Sequence, residues 1–107
     1  ILRCGKQLML LRLRGPLSFG AAKGISARMG LIQNYRVLIL DLTDVSRIGV
    51  TATLAIERMV EEARSAGRTL LIAGANQALE QRLRQFGVEG VLRPSRLDAL
   101  QEAAQQI

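Results

Sequence analysis

The sequence predicts an α/β fold, a mostly parallel sheet with helices packed on it. Three observations predict it. Two short apolar runs, Val37–Leu42 and Thr69–Ala73, have the Leu-rich and β-branched character of strands buried on both faces. Other stretches carry apolar residues at three- and four-residue steps, the period of a helix with one buried face. Strand and helix alternate with short connections, which is the order of a parallel sheet.

Lys6–Arg14 opens the fold as a strand. Leu11 and Leu13 alternate with Arg12 and Arg14, and Gly15-Pro16 is expected to end it. Ser18 or Gly20 is positioned to cap a helix over Ala21–Leu31, with Ala22, Ile25, Met29 and Ile32 on one side and Gly24 and Gly30 weakening it. Val37–Leu42 is the central strand, interrupted by Asp41 where a buried strand should emerge. A polar, turn-like patch follows: Thr43, Asp44, Ser46, Arg47 and Gly49. From Ala52 the period becomes helical, through Ala55, Ile56, Met59, Val60, Ala63 and Ala66, with Gly67 closing the helix as its left-handed residue. After the strand Thr69–Ala73, Asn76 caps a helix with Leu79, Leu83 and Phe86 inward, ending at Gly87. Val88–Leu92 reads as a last short strand. Ser95-Arg96-Leu97-Asp98 resembles a capping box and opens a helix through Gln106, with Leu97, Leu100 and Ala104 inward.

The 107 residues suit one domain. Their half-apolar composition excludes a disordered chain, and no apolar run reaches the roughly 20 residues of a membrane span. The first residue is Ile rather than Met, which leads to the expectation of a piece cut from a longer protein. Without histidine, Ser-His-Asp and Cys-His catalysis and the commonest metal ligand are excluded. The single Cys4 can form no internal disulfide, in keeping with a reducing compartment. The net charge is +6, with Arg3, Lys6, Arg12, Arg14, Lys23, Arg28, Arg36 and Arg47 weighting the first half. The aromatics Phe19, Tyr35 and Phe86 do not interleave with basic residues, so no nucleic-acid stacking platform is expected. A solvated basic surface, or one facing anionic lipid headgroups, is the expectation instead.

Gly15–Lys23, GPLSFGAAK, fails as a phosphate loop: Lys23 comes three residues after Gly20 and is followed by Gly24. Asp41 and Asp44 lack a base, a metal partner or a nucleophile. Asp41 is expected to hydrogen-bond loop amides at the strand end, and Asp44 to stabilise a turn. Thr51 falls in the first turn of the central helix, opposite Ala52, Ala55 and Ile56, so its hydroxyl is expected to be exposed. A phosphate there would be favoured by free amides and the helix dipole, while the residues alone favour the plainer reading of a Thr that simply helps start the helix.

With these residues in view, Asp41-Leu42-Thr43-Asp44-Val45 leading into Gly49-Val50-Thr51-Ala52 resembles a STAS domain. That family comprises anti-anti-sigma factors and the cytoplasmic C-terminal domains of SulP anion transporters. Gly15-Pro16-Leu17-Ser18-Phe19-Gly20-Ala21-Ala22 is similar to the transporter branch, and within it to the cyanobacterial sodium-dependent bicarbonate transporters. The resemblance implies a four- to five-stranded mixed sheet with about four helices, one domain over 1–107, and no catalysis or cofactor. It implies a regulatory, dimer-forming module at the cytoplasmic face of the cell membrane, whose partners are the transporter's own transmembrane domain, a second copy, and a protein or nucleotide effector. In anti-anti-sigma factors an Asp-Ser-Ser-Gly motif carries the phosphorylated serine; here the four positions are Gly49, Val50, Thr51 and Ala52. Thr51 keeps the hydroxyl as the implied regulatory position, while the flanking departures count against kinase-driven switching. The expected contact surface is Thr43, Asp44, Ser46, Arg47, Gly49 and Thr53. The alternatives are a sulfate transporter's domain and a free partner-switching regulator with Thr51 as phosphoacceptor.

Overall fold

A computed structural model describes residues 2–3, 8–17, 20, 24, 27, 35–88 and 90–106. Four parallel strands form the body of the sheet: β2 (Leu8–Leu17), β3 (Val37–Ile48), β4 (Thr69–Ala73) and β5 (Leu92–Arg93), side by side in that order. A two-residue strand, β1 (Leu2–Arg3), pairs antiparallel with β2, Leu2 opposite Leu10. The described helices are α1 (Val50–Ser65), α2 (Gln77–Gln85) and α3 (Arg96–Gln106). The helix expected over Ala21–Leu31 lies for the most part outside the described residues.

Parallel strands need cover on both faces, and the side-chain alternation supplies it. Met9, Leu11, Leu38, Leu40, Leu42, Leu70 and Ile72 form one core with Ile56, Met59 and Val60 of α1 and Leu79 and Leu83 of α2. Leu8, Leu10, Val37, Ile39, Leu71 and Ala73 form the other with Ala99 and Ala103 of α3. The inward stripe of α3 is therefore Ala99 and Ala103, with Leu100 half-buried at its side. Leu97 and Ala104, expected inward, are exposed. Two alanines one turn apart let α3 lie close to the sheet, and that close approach turns Leu97 outward. On α1 the stripe is Ala52, Thr53, Ile56, Met59, Val60 and Ala63. Ala55 is half-buried, and Ala66, beyond the last turn, is exposed.

Two strands run further than expected. β2 passes through Gly15-Pro16, with Gly15 at φ 70°, because Pro is tolerated at a bulged edge that needs no donor. β3 continues to Ile48, so the patch expected as a turn is strand. The pairing explains this. Arg12 lies opposite Asp41 and Arg14 opposite Asp44; Gly15 lies opposite Val45 and Leu17 opposite Ile48. From Arg12 to Arg14, and again from Gly15 to Leu17, β3 carries one residue more than β2. Two bulges convert its alternation into burial at every third position, Val45 and Ile48 inward and the residues between them exposed. The strand expected over Val88–Leu92 is shorter and later, Leu92–Arg93 alone.

The caps follow expectation. The Asn76 side chain accepts from the Leu79 amide at 2.9 Å, and its amide donates to the Ser46 carbonyl at 3.3 Å, joining α2 to the far end of β3. The Ser95 hydroxyl accepts from the Asp98 amide at 3.2 Å and donates to the Asp98 carboxylate at 2.8 Å. Arg93 holds β5 to α3 through a two-pronged contact with Glu102, at 2.6 and 2.9 Å. That hydrogen bond from Arg93 holds the Glu102 carboxyl below the usual range against a smaller opposing effect of burial.

Gly74 ends β4 at φ 73°, and a Cβ there would collide with the Thr43 hydroxyl and crowd its Cα. Gly67, at φ 72°, faces open space. Gly74→Ala is expected to cost about 3 kcal/mol and Gly67→Ala about 1 kcal/mol in urea unfolding. For Glu102 the lowered folded-state pKa means its contribution is present above the unfolded pKa and lost as pH falls through the folded one. Glu102→Gln should lower Tm at neutral pH, with the difference from the parent closing in acid.

Candidate functional site

The carboxyl end of β3 is where the sheet stops being apolar. Along the α3-facing side of β3, Val37 and Ile39 are followed by Asp41; on β2, Leu8 and Leu10 are followed by Arg12, its register partner. Asp41 is 2% exposed. One of its oxygens, Oδ1, accepts from the Thr43 amide at 3.1 Å and the Thr43 hydroxyl at 2.5 Å. The other, Oδ2, faces two guanidiniums, Arg12 at 3.7 Å and Arg96 of α3 at 3.4 Å. The expected role of Asp41, accepting from an amide at the strand end, is therefore present; the two arginines are additional. Asp44 does not stabilise a turn. It is a strand residue paired with Arg12 at 3.3 Å on the surface. Above Asp41 lies an open cavity of about 400 Å³ lined by Arg12, Thr43, Arg96, Leu97 and Leu100.

On the other side of the same edge β3 hands over to α1. Gly49 precedes the helix in extended conformation with no side-chain cap, and the first turn holds no acidic residue. Thr51 is exposed, as its position predicts. Thr43, Asp44, Ser46, Arg47 and Gly49 are exposed with it. Thr53, expected among the contact residues, is fully buried, and its hydroxyl donates to the Gly49 carbonyl at 2.8 Å. Helical phase turns Thr53 inward, three residues before Ile56 and seven before Val60, and the bond back one turn satisfies its hydroxyl there. Two apolar residues outside the expected set are exposed beside it. Val50 and Leu54, one turn apart on α1, are 47% and 44% exposed. Their signal in the sequence is an apolar pair lying off the Ala52–Ile56–Met59 stripe.

Among the described residues no three potential metal ligands cluster, and no helix is long and apolar enough to cross a membrane. The profile of the STAS domain family matches residues 2–103. The chain belongs to the STAS domain family. This STAS domain is 40% identical over 82 residues to the bicarbonate transporter BicA of Synechocystis, a match covering 77% of this chain and 14% of that protein. The chain thus spans about one-seventh of the length of that relative. The SulP transporter STAS domain of Vibrio cholerae is 30% identical, with a TM-score of 0.83 over 97% of this chain and 86% of that one. The anti-sigma factor antagonist SpoIIAA, unphosphorylated, has a TM-score of 0.84 over 99% of this chain and 95% of its own at 13% identity, a likeness of fold.

Removing the buried carboxylate should cost more than removing the exposed one. Asp41→Ala strands the Thr43 amide and hydroxyl and leaves two guanidiniums facing each other, at an expected cost of about 1–3 kcal/mol. Asp44→Ala should stay within about 0.5 kcal/mol. Urea unfolding of both variants measures the contrast.

Proposed function

We propose that this STAS domain is the regulatory and dimer-forming part of a SulP-family anion transporter, acting without catalysis at the cytoplasmic face of the cell membrane. The transported anion is bicarbonate, by analogy with the BicA relatives at 40% and 35% identity. In this reading residues 1–107 are one domain of a longer chain. Its partners are the transmembrane part of the same chain and a second copy.

The observation that carries the contact surface is the exposed pair Val50 and Leu54 beside Thr51 and Arg47. An apolar pair ringed by polar residues, at the start of a helix and at the carboxyl edge of the sheet, suits a protein contact. The surface is redrawn accordingly as Thr43, Asp44, Ser46, Arg47, Gly49, Val50, Thr51 and Leu54, without Thr53. Thr51 is the regulatory position: a phosphate on its exposed hydroxyl would meet a helix start with no competing acid. The basic surface facing lipid headgroups rests on Arg12 and Arg14, both exposed; Lys6, Lys23 and Arg28 lie outside the described residues.

The test uses the full-length transporter that carries this chain, in cells lacking their own bicarbonate uptake. The parent should support uptake of labelled bicarbonate. Val50→Asp with Leu54→Gln should cut that uptake and the dimer fraction several-fold while the protein still reaches the membrane. An acid at the first helical position favours the helix, so loss of fold does not explain such a result. Uptake of sulfate in place of bicarbonate would overturn the anion assignment, and unchanged uptake and dimerisation would overturn the contact surface.

A further inference from the structure

The cavity between α3 and the ends of β2 and β3 shares Thr43 with the proposed contact surface but opens on the other face of the sheet, where its chemistry suits a ligand. Two guanidiniums converge on it from different elements, Arg12 from β2 and Arg96 from the first turn of α3. Both converge on one oxygen of a single buried carboxylate, at 3.7 and 3.4 Å. Those distances lie beyond the 2.7–2.9 Å of a well-formed charged hydrogen bond, so Asp41 orients the two forks without saturating them. Their side chains are 40% and 43% exposed. Among the described residues Arg12 has one further partner, Asp44, in a surface pair that is screened and exchanged at little cost. Asp98, the remaining acid of the first turn of α3, is occupied by the Ser95 hydroxyl. Beside the guanidiniums stand Leu97, 64% exposed, and Leu100, half-buried. An exposed leucine adjoining two unsaturated forks is a mixed surface, apolar on one side and cationic on the other.

We propose that this cavity binds an oxyanion, the phosphate or carboxylate head of a small amphiphilic molecule, between the guanidiniums of Arg12 and Arg96. Asp41 is the positioning residue. It is buried and held by Thr43, and it keeps both forks aimed at the cavity before any ligand arrives, which lowers the ordering cost of binding. Leu97 and Leu100 take the apolar part of the ligand. The same head group occurs in a soluble organic phosphate and in an anionic lipid, and the two sources are separated below. The site does not rest on the transporter reading or on the surface of α1.

The experiment is an amide- and guanidinium-resolved NMR titration of this chain with phenyl phosphate, benzoate and inorganic phosphate at constant ionic strength, chloride being the control. Saturable shifts are expected at Thr43 and Leu97 and at the side-chain N–H groups of Arg12 and Arg96. Phenyl phosphate should bind more tightly than inorganic phosphate, because only the former covers the leucines. Arg96→Gln should weaken binding about tenfold or more, and Arg96→Lys, which keeps the charge and loses the fork, should fall between. Arg84→Gln, on the exposed side of α2, should leave it unchanged. Vesicles of phosphatidylglycerol in phosphatidylcholine provide the second arm. Vesicle binding that phenyl phosphate displaces and Arg96→Gln abolishes identifies a lipid head group. Phenyl phosphate binding with no vesicle binding identifies a soluble ligand. Non-saturating shifts spread over exposed arginines, shifts equal to those of chloride, or affinity unchanged in Arg96→Gln would overturn the site.

Discussion

The structure depends on β3 being bonded along both edges and apolar on both faces. A central parallel strand has no solvent side, so every residue from Val37 to Leu40 must be apolar, and each face must be covered by helices. Polar chemistry is thereby confined to the carboxyl end, where the strand leaves the sandwich. Asp41 stands at that boundary. It is still covered by α3, yet near enough to the edge for Thr43 and two arginines to reach it. The candidate contact surface and the cavity both take their position from where the apolar run ends.

A carboxylate buried at such a boundary is a cross-link as well as a charge. Through Asp41, β2, β3 and α3 share one set of polar contacts, made by Arg12, Thr43 and Arg96. Gly74 adds β4, because only a residue without a side chain lets the end of that strand pass against Thr43. Replacing such a set by apolar residues is often neutral for stability, so stability alone does not account for it. Its effect is geometric: it fixes the orientation of two long, otherwise mobile side chains at the mouth of a cavity.

The succession of strands and helices from Val37 onward was legible in the sequence because each signal there is local. Apolar run, helical period, Asn76 and Ser95 caps and left-handed Gly67 and Gly87 all act over a few residues. What was not legible depends on pairing. The patch from Thr43 to Ile48 reads as a turn because two bulges replace alternation with a three-residue repeat, and a bulge exists only relative to the partner strand. Arg12 and Asp41 are 29 positions apart, and nothing local in the sequence tells that they are register partners. The outward turn of Leu97 has a related cause: the close packing of Ala99 and Ala103 decides which side of α3 faces the sheet, and small residues give a weak periodic signal. On α1 helical phase alone turns Thr51 outward and Thr53 inward; what phase does not show is that the Gly49 carbonyl satisfies the buried Thr53 hydroxyl.

The two polar features at this edge lie on opposite faces of the same strand end. The start of α1 belongs with the face covered by α1 and α2; the cavity belongs with the face covered by α3. They are joined by the bulged segment of β3, which carries Thr43 and Asp44 between them. A ligand or contact on one face affects the other only if this segment has two arrangements that the ligand distinguishes. The Arg12–Asp44 pair supplies the physical difference such a distinction needs: it is exposed and weakly held, and it shares its guanidinium with buried Asp41. An anion that draws Arg12 away from Asp44 would leave this exposed carboxylate, itself part of the proposed contact surface, without its pair. Coupling between the two faces therefore needs no movement of the sheet. Exchange of one guanidinium between two carboxylates and a ligand would change the charge that a partner docked on the proposed surface meets.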